Sequence, residues 1–175
     1  STQDVLPLFA DQAQIGGIGL CYSEDESYCI RAGEGISEEW LLKKLSETGE
    51  NTGRFVMFDL KTALAALNIK KTENCFDASV AAYLLDPLKN HYTYEDIARE
   101  QLDLIIDEKT AEYVKICYEA YTAYKGSFIL WDRLKECQMD RLFTEIEMPL
   151  VFTLYEMEQK GVRVEAEALR FYGSQ

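Results

Sequence analysis

The residues able to do chemistry in this chain are its many carboxylates, five cysteines and one histidine. A general base works when a partner holds it beside the proton it takes. His91 has no Ser or Cys partner at a nucleophile–base spacing and stands just before a helix start, so it reads as structural. Cys21, Cys29, Cys75, Cys117 and Cys137 contain no CxxC pair. A structural zinc site needs four well-spaced ligands, and one histidine with scattered cysteines does not supply them. The cysteines read as reduced thiols of a reducing compartment. Residues Ile15 to Leu20, with Gly16, Gly17 and Gly19, have the composition of a phosphate cradle. The order is not GxGxxG, however, and no GK[ST] follows. They read as a strand that another backbone approaches closely.

Most carboxylates, among them Asp25, Glu26, Glu38, Glu39, Glu47, Glu50, Asp103, Asp107 and Glu108, fall on polar turns or helix faces. Two follow apolar runs: Asp59 after Phe55–Phe58 and Asp77 after Phe76. Either residue has the oxygen ligands a hard cation needs, and either can cap the helix that follows; capping is the default for Asp77. The overall charge is −13, from 18 basic and 31 acidic residues. Nucleic-acid affinity comes largely from cations that replace condensed counterions. This chain alone is therefore expected to bind DNA or RNA poorly, and Lys43–Lys44 and Lys70–Lys71 read as solvated edges. No run is long and apolar enough to span a membrane. The first residues lack the basic and apolar regions of a signal peptide. Both ends look cut from something longer.

The elements that must position these groups change character along the chain. Val5–Phe9, 15–22 and Ser27–Arg31 read as strands, the last two forming a hairpin over the polar turn 23–26. Ser37 is a good N-cap, with Glu38 and Glu39 in the first turn of a helix expected to stop near Gly49. Phe55–Phe58 reads as a buried strand, and Leu60, Leu64 and Leu67 as the face of a second helix. An extended piece at Cys75–Phe76 precedes a helix from Asp77 to Leu85. Thr93-x-x-Asp96 opens a helix to Leu102. A long helix, or a broken pair with its break at Gly126, is expected over 108–136. A last long helix runs from Asp140 to Gln159, kinked at Pro149, with Leu142, Ile146, Leu150, Leu154 and Met157 on its inner face. Gly161 caps it, and Glu165 starts another helix. Strands followed by mixed elements and then helices give an α/β class, a central sheet flanked by helices.

Four segments in order carry a family resemblance: Cys75 to Pro87 (CFDASVAAYLLDP), His91 to Ala98 (HYTYEDIA), Leu142 to Leu150 (LFTEIEMPL) and Tyr155 to Val164 (YEMEQKGVRV). Together they resemble the 3′–5′ exonuclease domain of bacterial family A DNA polymerases, the DNA polymerase I type, over nearly the whole chain. The resemblance implies an RNase H-like mixed β-sheet flanked by helices over residues 1–140. Residues 141–175 are then a helical C-terminal extension leading toward a polymerase domain of the same chain. In active members two divalent metals, held by carboxylates of three motifs, stabilise the attacking and leaving oxygens.

Carried over motif by motif, the carboxylates are absent. The first motif, Asp-x-Glu, falls near Val5–Phe9. Asp4 is a possible relic of its first position, but Leu6 then stands where Glu is needed; Asp11 with Ala13 makes no pair either. The second resembles Asn-Leu-Lys-Tyr-Asp and reads here as Asp59-Leu60-Lys61-Thr62-Ala63, so Ala63 takes the metal-binding position. The third, Tyr-x-x-x-Asp, matches Tyr118 with Thr122, or Ala123 after a one-residue shift. No catalytic or metal residue is therefore expected, and no cofactor. The resemblance implies a vestigial exonuclease-like module of a cytoplasmic, nucleoid-associated replication and repair polymerase, in contact with DNA only through that parent. Two other readings stand. One is an active exonuclease using Mg²⁺ or Mn²⁺ on displaced ligands such as Asp4, Asp11, Asp59 or Glu119. The other is a DNA-path or protein-docking module, which requires an exposed basic or apolar patch.

Overall fold

Two small sheets and a set of shorter helices gather around one long helix. The computed structural model describes residues 17–33, 35–70, 73–89, 91–161, 170, 172 and 173. The readings at Asp4, Leu6, Asp11 and Val5–Phe9, and the helix start at Glu165, lie outside these residues. Strand β1 (Gly17–Cys21) pairs antiparallel with β2 (Ser27–Arg31), the hairpin expected from the polar turn. Strand β3 (Phe55–Met57) pairs parallel with β4 (Cys75–Asp77). Among the described residues these are two separate two-stranded sheets. The architecture is mixed α/β, with helices predominating.

The helix starts follow their caps. Helix α1 (Glu38–Asn51) begins with the Ser37 hydroxyl accepting from the Trp40 N–H at 3.2 Å. It passes Gly49, the expected stop, by two residues. Gly49 is buried because a side chain there would press on Ile69, 3.0 Å away; it serves packing rather than termination. Helix α2 (Leu60–Ala63) is only four residues long. Beyond it Ala65 and Ala66 bond to carbonyls three residues back, so the chain tightens into turns while Leu60, Leu64 and Leu67 all stay buried. Helix α3 (Ala78–Leu85) is capped by Asp77. Helix α4 (Tyr94–Leu102) opens with the Thr93–Asp96 capping box.

Helix α5 (Glu112–Glu136) runs unbroken through Gly126, as the long helix rather than the broken pair. Glycine inside a helix costs about 1 kcal/mol relative to alanine. Here a Cβ would stand 3.1 Å from Ile97 Cγ2 of α4, so the glycine lets α4 lie close. Next come α6 (Asp140–Leu142), a π-helical turn at Phe143–Glu147 and α7 (Met148–Lys160), closed by Gly161 at φ 65°. Pro149 lacks a backbone donor, and the π turn lies immediately before it. Phe143 and Met148, five residues apart across that turn, are both buried, followed by Val151. The extra residue shifts the inward line by about 100° relative to a plain α-helix. Leu142, Ile146, Leu150, Leu154 and Met157, expected inside, are exposed, because the line through Phe143, Met148 and Val151 faces the core instead.

The core joins β3, β4, α2, α3, α4, α5, the π turn and α7. Phe143 packs against Phe76 and Trp131, with ring centres 4.8 and 6.3 Å away. Arg54 ties β3 to α5 by donating to the Ser127 carbonyl at 3.0 Å and lying over the Phe76 and Phe128 rings. Helix α5 also lies against β1 at Gly19, where a Cβ would strike the Ile116 carbonyl oxygen and stand 3.1 Å from Ala120 Cβ. Gly33, by contrast, has open space around it. Substituting Gly19→Ala is expected to destabilise the fold by about 1–3 kcal/mol through overpacking against backbone. Gly33→Ala is expected to be neutral or to stabilise by up to ~1 kcal/mol. Urea unfolding of the two variants checks the contrast.

Candidate functional site

The second motif lies between the parallel strands and the start of α2. Asp59 follows β3 in the left-handed region, φ 47° and ψ 58°, a conformation that a short polar side chain tolerates better than most. Its carboxylate accepts from the Thr62 hydroxyl at 2.7 Å and the Thr62 N–H at 3.4 Å. Asp59 therefore caps α2. Asp77, at the end of the neighbouring strand, is buried and accepts three backbone N–H bonds. Leu60 N–H donates at 2.7 Å, Ser79 N–H at 2.9 Å and Val80 N–H at 3.2 Å. Burial raises the Asp77 pKa; the three N–H groups oppose this and the charge of Asp59 adds to it, with a net upward direction. Both carboxylates are thus committed to helix starts. Ala63 ends α2 partly buried and packed on the core.

The third motif lies on α5. Thr122 is fully buried, and its hydroxyl has no hydrogen-bond partner. Ala123 is also buried, and Tyr118, one turn before Thr122, is exposed. Helix α5 packs against β1, β2, β3, α3 and α4, whereas α2 leans on α7, where Lys61 pairs with Glu158 at 2.6 Å. Neither Ala63 nor Thr122 lines the surface cavity bounded by residues 64–70, Phe152, Tyr155 and Glu156, or the one bounded by Gly33, Gly35, Ile36, Ser37 and Trp40.

Glu119, one of the displaced-ligand candidates, belongs to an acidic corner with Glu95 and Glu112. The residue keeps much of its surface exposed. Desolvation of its carboxyl, then repulsion from Glu95 and Glu112, raises its pKa. Burial, together with a hydrogen bond to Glu95, pushes the nearby Tyr94 phenol strongly upward. Among the described residues, no three His, Cys, Asp or Glu side chains are grouped so as to hold a metal ion. Among the described residues, Asp59 and Asp77 serve as helix caps, and positions 63, 122 and 123 carry no carboxylate. Two features escaped the sequence reading. The burial of Thr122 shows only once α5 is placed, and the exposure of the Leu142–Met157 row only once α7 is packed. No described helix is long and apolar enough to cross a membrane.

Comparison with known proteins relates the chain to segments of DNA polymerase I. It is 32% identical to the Caldicellulosiruptor bescii protein, over 67% of this chain and 14% of that protein. The Geobacillus stearothermophilus protein is 31% identical over 93% of the chain, and the Bacillus caldotenax protein 33% over 73%. The chain spans a fifth or less of the length of these relatives. No family model and no solved structure matches it.

A buried hydroxyl without a partner costs about 1–3 kcal/mol. Thr122→Val is accordingly expected to raise stability by about 0.5–1 kcal/mol. Thr122→Asp, which puts an unpaired charge at the same place, is expected to lower it by about 3 kcal/mol or more. Chemical denaturation of both variants measures the difference.

Proposed function

From its relationship to DNA polymerase I, we propose that this chain is a 3′–5′ exonuclease-related module of such a polymerase, RNase H-like in fold and without nuclease activity. The observation that carries this reading is the placement of Ala63, Thr122 and Ala123. Where the chemistry needs charged oxygen ligands, the chain uses small side chains packed into the core. Without those ligands two cations lack charge compensation, and the Lewis-acid assistance to phosphodiester cleavage is lost. The parent is then a DNA-synthesising and repair enzyme that does not proofread through this module. DNA is met chiefly by the polymerase part, since a net charge of −13 disfavours binding here.

A scaffold role has its own support. Leu142, Ile146, Leu150, Leu154 and Met157 recur every three or four residues and are 36–59% exposed. A row of apolar side chains along one helix side is an unusual surface for a free-standing domain. It suits docking against the polymerase domain of the same parent chain. The acidic corner at Glu95, Glu112 and Glu119 offers the alternative of an active site with displaced ligands, but it joins three negative charges with no cation among its named neighbours.

Incubation with 3′-labelled single-stranded DNA and Mg²⁺ or Mn²⁺ tests the first part. The expected outcome is no cleavage above that of a metal-free control. Degradation abolished by EDTA and by Glu119→Gln would support the displaced-ligand site instead. In the intact parent polymerase, Leu150→Glu with Leu154→Glu is expected to expose the inter-domain region to protease while leaving the isolated chain's melting temperature unchanged. Unaltered protease resistance of the parent contradicts docking through this row.

A further inference from the structure

We propose that Cys29 and Cys117 form an oxidant-responsive thiol pair that clamps helix α5 to the β1–β2 hairpin. The hairpin register places one partner. Gly19 pairs with Cys29 and Cys21 with Ser27. Directly paired residues, and residues two apart along a strand, project from the same side of a sheet. Gly19, Cys21 and Cys29 therefore share a face, and α5 covers it. The Ile116 carbonyl oxygen and Ala120 Cβ occupy the space in front of Gly19. At one end of the same face Arg31 lies 5.5 Å from the centre of the Tyr113 ring; at the turn end Lys125 pairs with Glu24. Tyr113, Cys117 and Ala120 follow one another by four and three residues, so they share one side of the helix. Cys117 thus meets the two strand cysteines where helix and hairpin come closest.

That closeness is the requirement for a bridge. Disulfide partners need Cα atoms about 4.4–6.8 Å apart, and ordinary side chains hold a helix farther than this from a strand. Gly19 removes the spacer at the residue paired with Cys29. All three thiols are free and only half-buried. Burial, and then the neighbouring Cys29 and Cys21, raise the Cys117 pKa, in keeping with that arrangement. Cys29 is the better partner because it stands directly across from Gly19. The Cys21 thiol instead donates to the Ser23 carbonyl at 3.2 Å, within the turn.

The oxidant class is a peroxide. The Cys29 thiolate attacks one peroxide oxygen and becomes a sulfenic acid, and the departing oxygen takes up protons as water. The Cys117 sulfur then displaces the sulfenic hydroxyl, which leaves as a second water. Two thiols lose two electrons and two protons, and one hydrogen peroxide becomes two waters. A dithiol reductant reverses the bridge by exchange. The clamp is independent of the nuclease positions and adds a redox response to the scaffold role.

The test treats the purified protein with a few equivalents of hydrogen peroxide, blocks remaining thiols with N-ethylmaleimide and maps linked peptides without reductant. The expected result is a Cys29–Cys117 peptide pair and a fall from five free thiols to three. The melting temperature should rise by roughly 5–10 °C, because the bridge closes a long loop. Dithiothreitol should reverse each change, and Cys137→Ser should leave all of them intact. Cys117→Ser should abolish the linked peptide and the melting shift; if that variant does not fold, mapping of the wild-type and Cys137→Ser proteins decides alone. A Cys21–Cys29 link, a bridge through the exposed Cys137, or five thiols surviving the treatment would overturn the proposal.

Discussion

The close packing on helix α5 is the constraint on which the rest of the structure depends. Its inner face carries Thr122, Ala123, Gly126 and Ser127 before the larger Leu130 and Leu134. Small side chains let α4 come within contact distance at Gly126 and the hairpin at Gly19. Protein interiors are packed at crystal-like density, so a group added at such a place must displace a neighbour. The same economy of space governs positions 122 and 123. Thr122 and Ala123 are both buried there.

A second constraint organises the other end of the fold. The Asp77 carboxylate accepts from the starts of both α2 and α3, tying two helices to the end of a parallel strand pair. Each of these N–H groups would otherwise be an unsatisfied helix-terminal donor. Asp59 then caps α2 locally through Thr62. Two acids that look suited to a metal from their place after apolar runs are therefore explained by backbone hydrogen bonding.

Local chemistry made part of this legible in the sequence. The Ser37 cap, the Thr93–Asp96 box, the Asp77 cap and the polar hairpin turn each depend on a few neighbouring residues, and each is found where the residues indicate. Gly126 and Gly49 were misleading for a common reason. Their conformational cost argues for an interruption, but tertiary contacts with Ile97 and Ile69 override it. The row from Leu142 to Met157 has good α-helical spacing, but the neighbouring line through Phe143, Met148 and Val151 is the one that packs inward. In the candidate site, the cap role of Asp77 could be read from the helix that follows it. The burial of Thr122 could not, because it comes from long-range packing on α5.

An abundance of acids and a lack of ligand positions are compatible, since a metal site depends on convergence rather than number. Among the described residues, Asp59, Asp77 and Asp96 serve helix caps, several other carboxylates form surface ion pairs, and Glu95, Glu112 and Glu119 make a repulsive corner. Calorimetric titration of the protein with Mn²⁺ tests this most directly. The account predicts only weak, non-saturating heats, unchanged by Asp59→Asn or Glu119→Gln. Saturable, near-stoichiometric binding that either substitution abolishes would contradict it.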